Sequence, residues 1–282
     1  MKIATVTITR LGNKYLREYV EYYKNIGVDK MYFYDNNRLG EEKISDVLQD
    51  FVESGFVEIV PFGDAHGRVQ EAAYQDFYDK HGNDYDWICV FDDDEYLTLN
   101  FCHDLKKFLS MFNGVNGVAF PMINFCDNDV IVNNKNTRLD VYTCVKDVTN
   151  PWAFSFYKTI VRGGLNVKYI AGKYENNAEE YMDSCHLPVV DGICYNNLVD
   201  CDGHPILGQY GTATAYMTIN GFLKHIPTGC IDDYVNGKRK RGWPDELSPM
   251  QYDKKTMFAY EYFVKYNNHT DEKYKYFIEH ME

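Results

Sequence analysis

Two periods of apolar residues run through the first half of the chain. Residues 2–8 alternate as a β-strand does, and residues 15–27 carry apolar side chains at helical spacing up to Gly27. Residues 30–37 predict a second strand and turn, and residues 44–62 repeat the helix and strand. The side chains expected to face the core from these two helices are Leu16, Tyr19, Val20, Tyr23, Ile26, Ile44, Val47, Leu48, Phe51 and Val52.

A third helix, predicted over 69–80, leads into the strand of residues 86–92, which is apolar from Trp87 to Phe91. Strands that alternate with helices predict an α/β fold, with a mostly parallel central sheet and helices on both faces. A run without polar positions fits an interior strand of such a sheet. Because ligands of these folds bind beyond the carboxyl ends of the strands, the residues after Phe91 are expected to form a site.

The second half has shorter apolar runs separated by polar loops, with strands predicted over 117–123, 156–164 and 166–172. No linker divides the halves, so residues 1–248 are expected to form one domain. Its first part covers residues 1–115 and its second part residues 116–248. Residues 249–282 predict a C-terminal helical extension.

Composition narrows the class of partner and the compartment. The net charge of −13, from 29 basic and 42 acidic residues, argues against nucleic acid as a partner. The N-terminus lacks the pattern of a signal peptide, and no apolar run has the length of a membrane span. Eight scattered cysteines favour reduced thiols. We therefore expect a cytoplasmic protein.

Four acids, Asp92 to Glu95, follow the apolar strand. In extended backbone Asp92 and Asp94 point to the same side, and such a pair suits Mg²⁺ or Mn²⁺ that also binds substrate phosphates. The alternatives are a solvated acidic turn, a phosphatase site and a calcium loop. A phosphatase usually has Thr where Tyr96 stands, and a calcium loop needs a further ligand and Gly. A nucleotide-sugar transferase fits the position best.

Several blocks occur together in the order of one family: residues 15–37, 69–78, 85–97, 158–164 and 222–246. In these blocks the chain resembles the glycosyltransferase family 92-like proteins, which are similar to family 2-like transferases and are bacterial sugar transferases of surface-polysaccharide loci. The resemblance implies a glycosyltransferase A-type fold, a UDP-sugar donor, a divalent metal (Mn²⁺ or Mg²⁺) and inverting stereochemistry. It also implies that residues 1–115 bind the nucleotide and residues 116–248 the acceptor.

The resemblance also assigns roles to individual residues. It implies metal ligands at Asp92, Asp94 and His225, with Glu95 as the acid that follows the pair. His186 matches a loop histidine. The residues expected to contact the donor are Asp35, Asn36, Arg68, Gln70, Lys158, Arg162 and Arg241. Two of these residues have simpler interpretations, because Arg68 could be a helix-surface cation and His225 an ordinary structural histidine.

The chain departs from the family pattern at two places. Relatives usually have Asn-Glu where this chain has Leu11-Gly12, and Lys-Ser where it has Gly229-Cys230. The second departure leaves the basic residues 238–241 to meet the diphosphate. That run could instead be a solvated face or associate peripherally with the anionic inner face of the membrane.

These observations lead to a functional hypothesis with two rivals. The protein would move a hexose, such as galactose, from UDP to a hydroxyl of a glycan acceptor in surface-polysaccharide synthesis. An inverting reaction needs a carboxylate base, for which Asp127, Asp129 and Asp183 are the candidates. The rivals are a phosphoester hydrolase that uses the same acids and an inactive domain that binds a glycan or nucleotide.

Overall fold

The computed structural model describes residues 1–63, 65, 69–146, 154–169, 188–206, 220–241 and 257–280. The strands of its large sheet are β1 (Ile3–Thr9), β2 (Lys30–Asp35), β3 (Val57–Pro61), β4 (Trp87–Val90), β5 (Glu95–Leu99), β6 (Gly117–Asn124), β7 (Phe154–Arg162), β11 (Leu198–Asp200) and β12 (Gly221–His225). A small antiparallel sheet contains β8 (Val167–Lys168), β9 (Val189–Val190) and β10 (Ile193–Cys194).

The helices are distributed over both halves of the chain. They are α1 (Asn13–Asn25), α2 (Ser45–Glu53), α3 (Val69–His81), α4 (Leu105–Leu109), α5 (Ile231–Asp233), a π-helical turn (Tyr234–Lys238), α6 (Arg239–Arg241), α7 (Met257–Tyr266) and α8 (Asp271–Glu279). Within the described part of the chain, none of them is long and apolar enough to cross a lipid bilayer.

The large sheet has the strand order β3-β2-β1-β4-β7-β6-β12-β5, and β11 pairs with β6. Strands β3, β2, β1 and β4 are parallel, whereas β7 is antiparallel to both β4 and β6. Strand β12 runs parallel to β6 and antiparallel to β5. The α/β class is therefore confirmed, with a mixed second half beside a parallel first half.

The predicted apolar faces form the main core. The predicted core residues of the first helix, Leu16, Tyr19, Val20, Tyr23 and Ile26, are buried. In and just before α2, Ile44, Leu48 and Phe51 are also buried, whereas Val47 and Val52 are only partly buried. Every residue of β4 is fully buried between β1 and β7. This covering explains why the strand has no polar position.

Strand β5 and its partner β12 are among the strands that the sequence did not predict. The acids after β4 lie in a short turn, and the chain then returns as β5, which pairs with β12 in the register Glu95↔His225. Cross-strand pairing with a segment more than a hundred residues away is a tertiary contact that local periodicity does not reveal.

The C-terminal helices pack on the segment that follows β12. A cluster of apolar and aromatic residues joins them: Ile231, Tyr234 and Val235 from one side, with Tyr260, Tyr262, Phe263 and Phe277 from α7 and α8. The predicted helical extension thus packs on residues 231–235 through an apolar cluster of its own.

Candidate metal and nucleotide site

The chemistry-bearing residues lie along one edge of the large sheet. Strands β1, β2, β4, β6 and β12 are parallel to one another or connected through β7, and their carboxyl ends meet at this edge. Parallel strands of an α/β sheet place the residues that follow them together. The acidic turn after β4 therefore lies beside the last residues of β6 and β12, Asn124 and His225, which are register partners.

Asp94, Glu95 and His225 form a cluster that could hold a metal ion. Each offers one ligand atom, and these atoms all lie within 4.8 Å of one another. Metal–ligand bonds of about 2.1 Å place two ligands on opposite sides of an ion about 4 Å apart, so the cluster has a suitable size. The carboxylates of Asp94 and Glu95 are buried, and His225 is partly buried.

The imidazole of His225 has its orientation set by a neighbour. Its Nδ1 lies 2.6 Å from Oδ1 of Asn124, which can only accept, so Nδ1 carries the proton. The other ring nitrogen, Nε2, lies 3.6 Å from Oδ1 of Asp94. Burial lowers the pKa of His225 to about 4 against the opposing effect of Asp94, so the ring is neutral at pH 7. The lone pair of Nε2 and the carboxylate oxygen of Asp94 therefore face each other, as two ligands of one cation do.

Asp92, predicted as a ligand, is occupied by other partners. Its Oδ1 accepts hydrogen bonds from the Gln70 amide and from the Tyr74 hydroxyl, at 3.0 Å for the latter. Its Oδ2 lies 3.3 Å from the Lys158 ammonium. The ligand atoms within 4.8 Å of one another belong to Asp94, Glu95 and His225, and the role of Asp92 as a metal ligand stays a prediction.

Lys158 supplies a positive charge to the buried acids. It is 1% exposed, and its Nζ lies 3.6 Å from Oε1 of Glu95 as well as close to Asp92. Burial raises the pKa of the Glu95 carboxyl well above its ordinary value, whereas Lys158 opposes that shift. Lys158 thus lies beside two carboxylates of the acidic turn, and its contact with the donor stays a prediction.

Asp93 points away from this cluster. Its carboxylate accepts a hydrogen bond from the Thr9 hydroxyl at the end of β1. The same carboxylate lies so close to Gly12 that a Cβ on this residue would collide with it. Leu11 before this glycine has a positive φ of 54°. At the Leu11-Gly12 departure from the family pattern, the absence of a side chain on Gly12 therefore leaves room for the carboxylate of Asp93.

Arg138 is a functional candidate that the sequence analysis missed. Its guanidinium donates to the carbonyl oxygen of Asp93 at 2.7 Å and lies 4.3 Å from the centroid of the Tyr15 ring. Glu18 on α1 accepts hydrogen bonds from the backbone N–H of Arg138 at 2.7 Å and of Leu139 at 3.1 Å. No local motif marks this arginine, since it reaches the acidic turn through a loop far along the chain.

The turn after β2 lies at the same edge, as predicted. Asp35 ends β2, and its Oδ1 accepts from the backbone N–H of Asn37 at 3.0 Å. The Asn36 amide donates to the carbonyl of Phe62 at 2.9 Å, and its backbone N–H bonds to Thr9. The two predicted nucleotide-side residues therefore hold a turn beside β1.

Arg162, the predicted second member of the basic pair, lies elsewhere. It pairs with Trp87 at the amino end of β4, about 13 Å along the strand from Lys158. Its guanidinium donates to the carbonyls of Val115 and Phe112, both at 2.6 Å. Four residues of strand thus separate Arg162 from Lys158 and the site edge, and its contact with the donor stays a prediction.

The predicted bases Asp127 and Asp129 are engaged by one lysine. Lys273 lies 2.7 Å from Oδ2 of Asp127 and 2.8 Å from Oδ1 of Asp129. The hydrogen bond from Lys273 lowers the pKa of Asp129, whereas burial raises that of Asp127 despite the lysine. The assignment of either as a base stays a prediction, and the pairing leaves Asp129 a weak one.

The basic run 238–241 does not form one exposed face. Arg239 is buried and donates to the carbonyl of His280 at 2.8 Å, while Lys238 lies near enough to His225 to lower its pKa. The backbone of Arg241 ends α6, but its side chain lies outside what the structure describes, as do Arg68, Asp183 and His186.

Comparison with known proteins places the chain in a family. An acidic cluster at the carboxyl edge of an α/β sheet is typical of enzymes that bind nucleotides. Residues 7–194 match the sequence model of glycosyltransferase family 92, so the chain belongs to this family of glycosyltransferases. No curated protein matches the chain.

Solved structures show only distant similarity. Staphylococcus aureus TarS 1–349 is 10% identical with a TM-score of 0.33, and the match covers 57% of this chain and 47% of TarS. The 4-diphosphocytidyl-2C-methyl-D-erythritol synthase of Anaerococcus prevotii is 12% identical with a TM-score of 0.30, covering 57% and 71%. The chain thus spans about half the length of the TarS fragment, and these similarities are too weak to indicate a ligand or an activity.

Proposed function

We propose that this family member is a metal-dependent transferase that moves a hexose from a UDP-sugar to a hydroxyl of a glycan acceptor. Galactose is the first donor sugar to test. The observation that carries the proposal is the trio Asp94, Glu95 and His225, whose ligand atoms lie within 4.8 Å of one another at the sheet edge. Two carboxylates and a neutral imidazole suit Mn²⁺, and Mg²⁺ is the alternative where oxygen ligands dominate.

The charges around the turn support one bound cation. Lys158 lies beside the carboxylates of Asp92 and Glu95, and Arg138 interacts electrostatically with Asp93 and Asp94. His225 is neutral at pH 7. Buried carboxylates that are not neutralised lose their charge by taking up protons. A divalent ion at the trio would compensate the remaining negative charge and keep Asp94 and Glu95 ionised.

The residues of the chain divide the work of such a site. Asp94, Glu95 and His225 would hold the ion, which when bound acts as a Lewis acid toward the leaving diphosphate. Gln70, Tyr74 and Lys158 fix the carboxylate of Asp92 beside it. Asp92 would thus be held in one position, as a preorganised group that needs no rearrangement during reaction.

Two further groups define the borders of the site. Arg138 holds the turn through the carbonyl of Asp93, and Lys238 lies on the His225 side, where it could meet a diphosphate. The turn of Asp35 and Asn36 borders the nucleotide side. The acceptor's proton would leave to a carboxylate, and of the two predicted candidates that the structure describes, Asp129 is exposed and Asp127 is buried.

The proposal is tested by UDP release. Purified protein is incubated with UDP-galactose or UDP-glucose in Mn²⁺, with and without EDTA. Wild-type protein should release UDP only with free Mn²⁺, and Asp94→Asn and His225→Asn should lose this release. His103→Asn is the matched control, since His103 is exposed and outside the acidic turn.

The alternatives give different results. Phosphate release from a simple phosphomonoester, also lost in Asp94→Asn, would assign the site to a hydrolase. UDP–Mn²⁺ binding without any UDP release, in the presence of a range of glycans, would indicate a binding domain. UDP release that persists in EDTA would reject the metal.

A further inference from the structure

A buried amide links the C-terminal helices to two loops of the catalytic domain. Asn267 directly follows α7, and its Oδ1 accepts the backbone N–H of Asp127 at 2.7 Å. Its Nδ2 donates to the Thr228 hydroxyl at 2.7 Å and to the carbonyl of Phe263 at 3.1 Å. One side chain therefore contacts the loop after β6 and the loop after β12 at once.

A buried ion pair reinforces the first of these links. Lys273 on α8 and Asp127 are each 1% exposed, and their charged atoms lie 2.7 Å apart. The same ammonium lies 2.8 Å from Asp129 and 3.1 Å from the carbonyl of Asn268. Burial lowers the pKa of Lys273, but the hydrogen bonds to the two carboxylates outweigh it and raise the pKa overall.

Both linked loops are direct extensions of the strands that carry the His225–Asn124 pair. Asp127 lies three residues after Asn124, and Thr228 lies three residues after His225. Between these points the backbone is tied to the site, because Phe125 donates to the carbonyl of His225 at 2.8 Å and Ile226 to that of Asp94 at 3.0 Å. A shift at Asp127 or Thr228 would therefore move the imidazole relative to Asp94.

The apolar cluster between these helices and residues 231–235 does not need such polar contacts. Burying aromatic surface holds two elements together without defining their relative position to a fraction of an ångström. Buried charges and amides add little net stability, because desolvation offsets what their interactions return. Directed hydrogen bonds add one defined position of the loops relative to the helices, and a metal ligand requires such a fixed position.

We propose that Asn267 and Lys273 are positioning residues of the metal site. Their hydrogen bonds and ion pair hold the loops after β6 and β12 in place. Asn124 and His225 therefore stay side by side, and Nε2 of His225 faces Asp94. The C-terminal helices are thus part of the catalytic unit. The inference rests on the proposed function only in naming a metal as the ligand that His225 serves.

The first test needs no metal and uses the mildest change available. Thr228→Val removes the hydroxyl that Asn267 holds, and Thr228→Ser keeps it. Nitrogen NMR of ¹⁵N-histidine-labelled protein reports the tautomer of His225, whose signals are identified by their loss in His225→Asn. Wild type and Thr228→Ser should show one tautomer protonated at Nδ1, and Thr228→Val a mixture. An identical His225 spectrum in folded Thr228→Val would overturn the proposal.

The second test measures Mn²⁺ affinity by calorimetry. Thr228→Val, and the charge-balanced pair Asp127→Asn with Lys273→Met, should each weaken binding by about tenfold, the scale for loss of a group that orients a ligand. Lys275→Met is the control on the same helix, because Lys275 is 75% exposed. Unchanged affinity in both variants would reject the positioning role. If wild type binds no Mn²⁺, the metal proposal fails and the tautomer experiment still decides this one.

Discussion

Nδ1 of His225 lies 2.6 Å from Oδ1 of Asn124, and the two residues are register partners at the carboxyl ends of β12 and β6. This contact decides which ring nitrogen carries the proton, and it leaves the lone pair of Nε2 directed at Asp94, 3.6 Å away. An amide on one strand therefore prepares a histidine on the next strand to bind a cation.

Asn124→Ala should weaken Mn²⁺ binding by about 10 to 100-fold, the usual cost of removing a group that orients a ligand. The imidazole would lose its acceptor and populate the tautomer whose Nε2 is protonated and unable to ligate. Calorimetric titration with Mn²⁺ measures the change, with Asn113→Ala at an exposed position as the control. Equal dissociation constants for wild type and Asn124→Ala would show that the amide has no such role.

Asp94→Asn and Asp93→Asn should separate metal binding from folding. Asp94 belongs to the trio, so its replacement should abolish Mn²⁺-dependent UDP binding while the fold survives. Asp93 faces Thr9, so Asp93→Asn should cost about 1 kcal/mol of stability, because the buried hydrogen bond from Thr9 then goes to a neutral oxygen, and should leave UDP binding within a few-fold. Calorimetry and denaturant unfolding measure the two effects. Equal losses of UDP affinity would instead indicate a diffuse acidic patch.

Gly12→Ala should destabilise the protein by about 1 to 3 kcal/mol, the usual range for overpacking. A Cβ at this position would collide with the Asp93 carboxylate and the Thr9 hydroxyl, both held by their own hydrogen bond. Gly237→Ala is the matched control, since a methyl group there would meet no atom within 4 Å and a helical site favours alanine. Chemical denaturation should show a loss for the first and a neutral or stabilising effect for the second. Similar stability of the two variants would mean that the loop at Gly12 relaxes freely.

The Arg10–Glu41 pair should make stability depend on pH in acid. Glu41 accepts two hydrogen bonds from the Arg10 guanidinium, at 2.6 and 2.9 Å, and these chiefly lower its pKa to about 2. Because the folded pKa lies below the unfolded value of about 4.3, the contribution is complete above that value and is lost as the pH falls toward 2. The stability difference between wild type and Glu41→Gln should therefore shrink between about pH 5 and about pH 3.

Urea unfolding at several pH values measures this difference, and Glu53→Gln, at an exposed helix position, is the control. A gap between wild type and Glu41→Gln that stays constant from neutral pH into this acid range would contradict the assigned ion pair. The pair matters for the site because it closes the loop after β1 onto the turn after β2.

Sequence periodicity predicted the framework because its signals are local. A helix such as α1 needs only its own apolar spacing, and β4 only its unbroken apolar run, to show which faces are buried. The order of strands and helices then placed Asp35 and the acidic turn at one edge. Lys158 and His225 entered through family resemblance, and the structure brings both to that edge.

The remaining decisions were tertiary. Glu95 lies beside His225 because β5 pairs with β12. The carboxylate of Asp92 instead contacts Gln70, Tyr74 and Lys158. Arg162 shares a strand with Lys158 yet lies at its far end, and Lys273 reaches Asp127 from a helix that is remote in sequence. Residue spacing determines which side of its own strand or helix a side chain faces. Only the packing of distant segments decides which charges meet, because a carboxylate's partner is set by distance in space and not by separation along the chain.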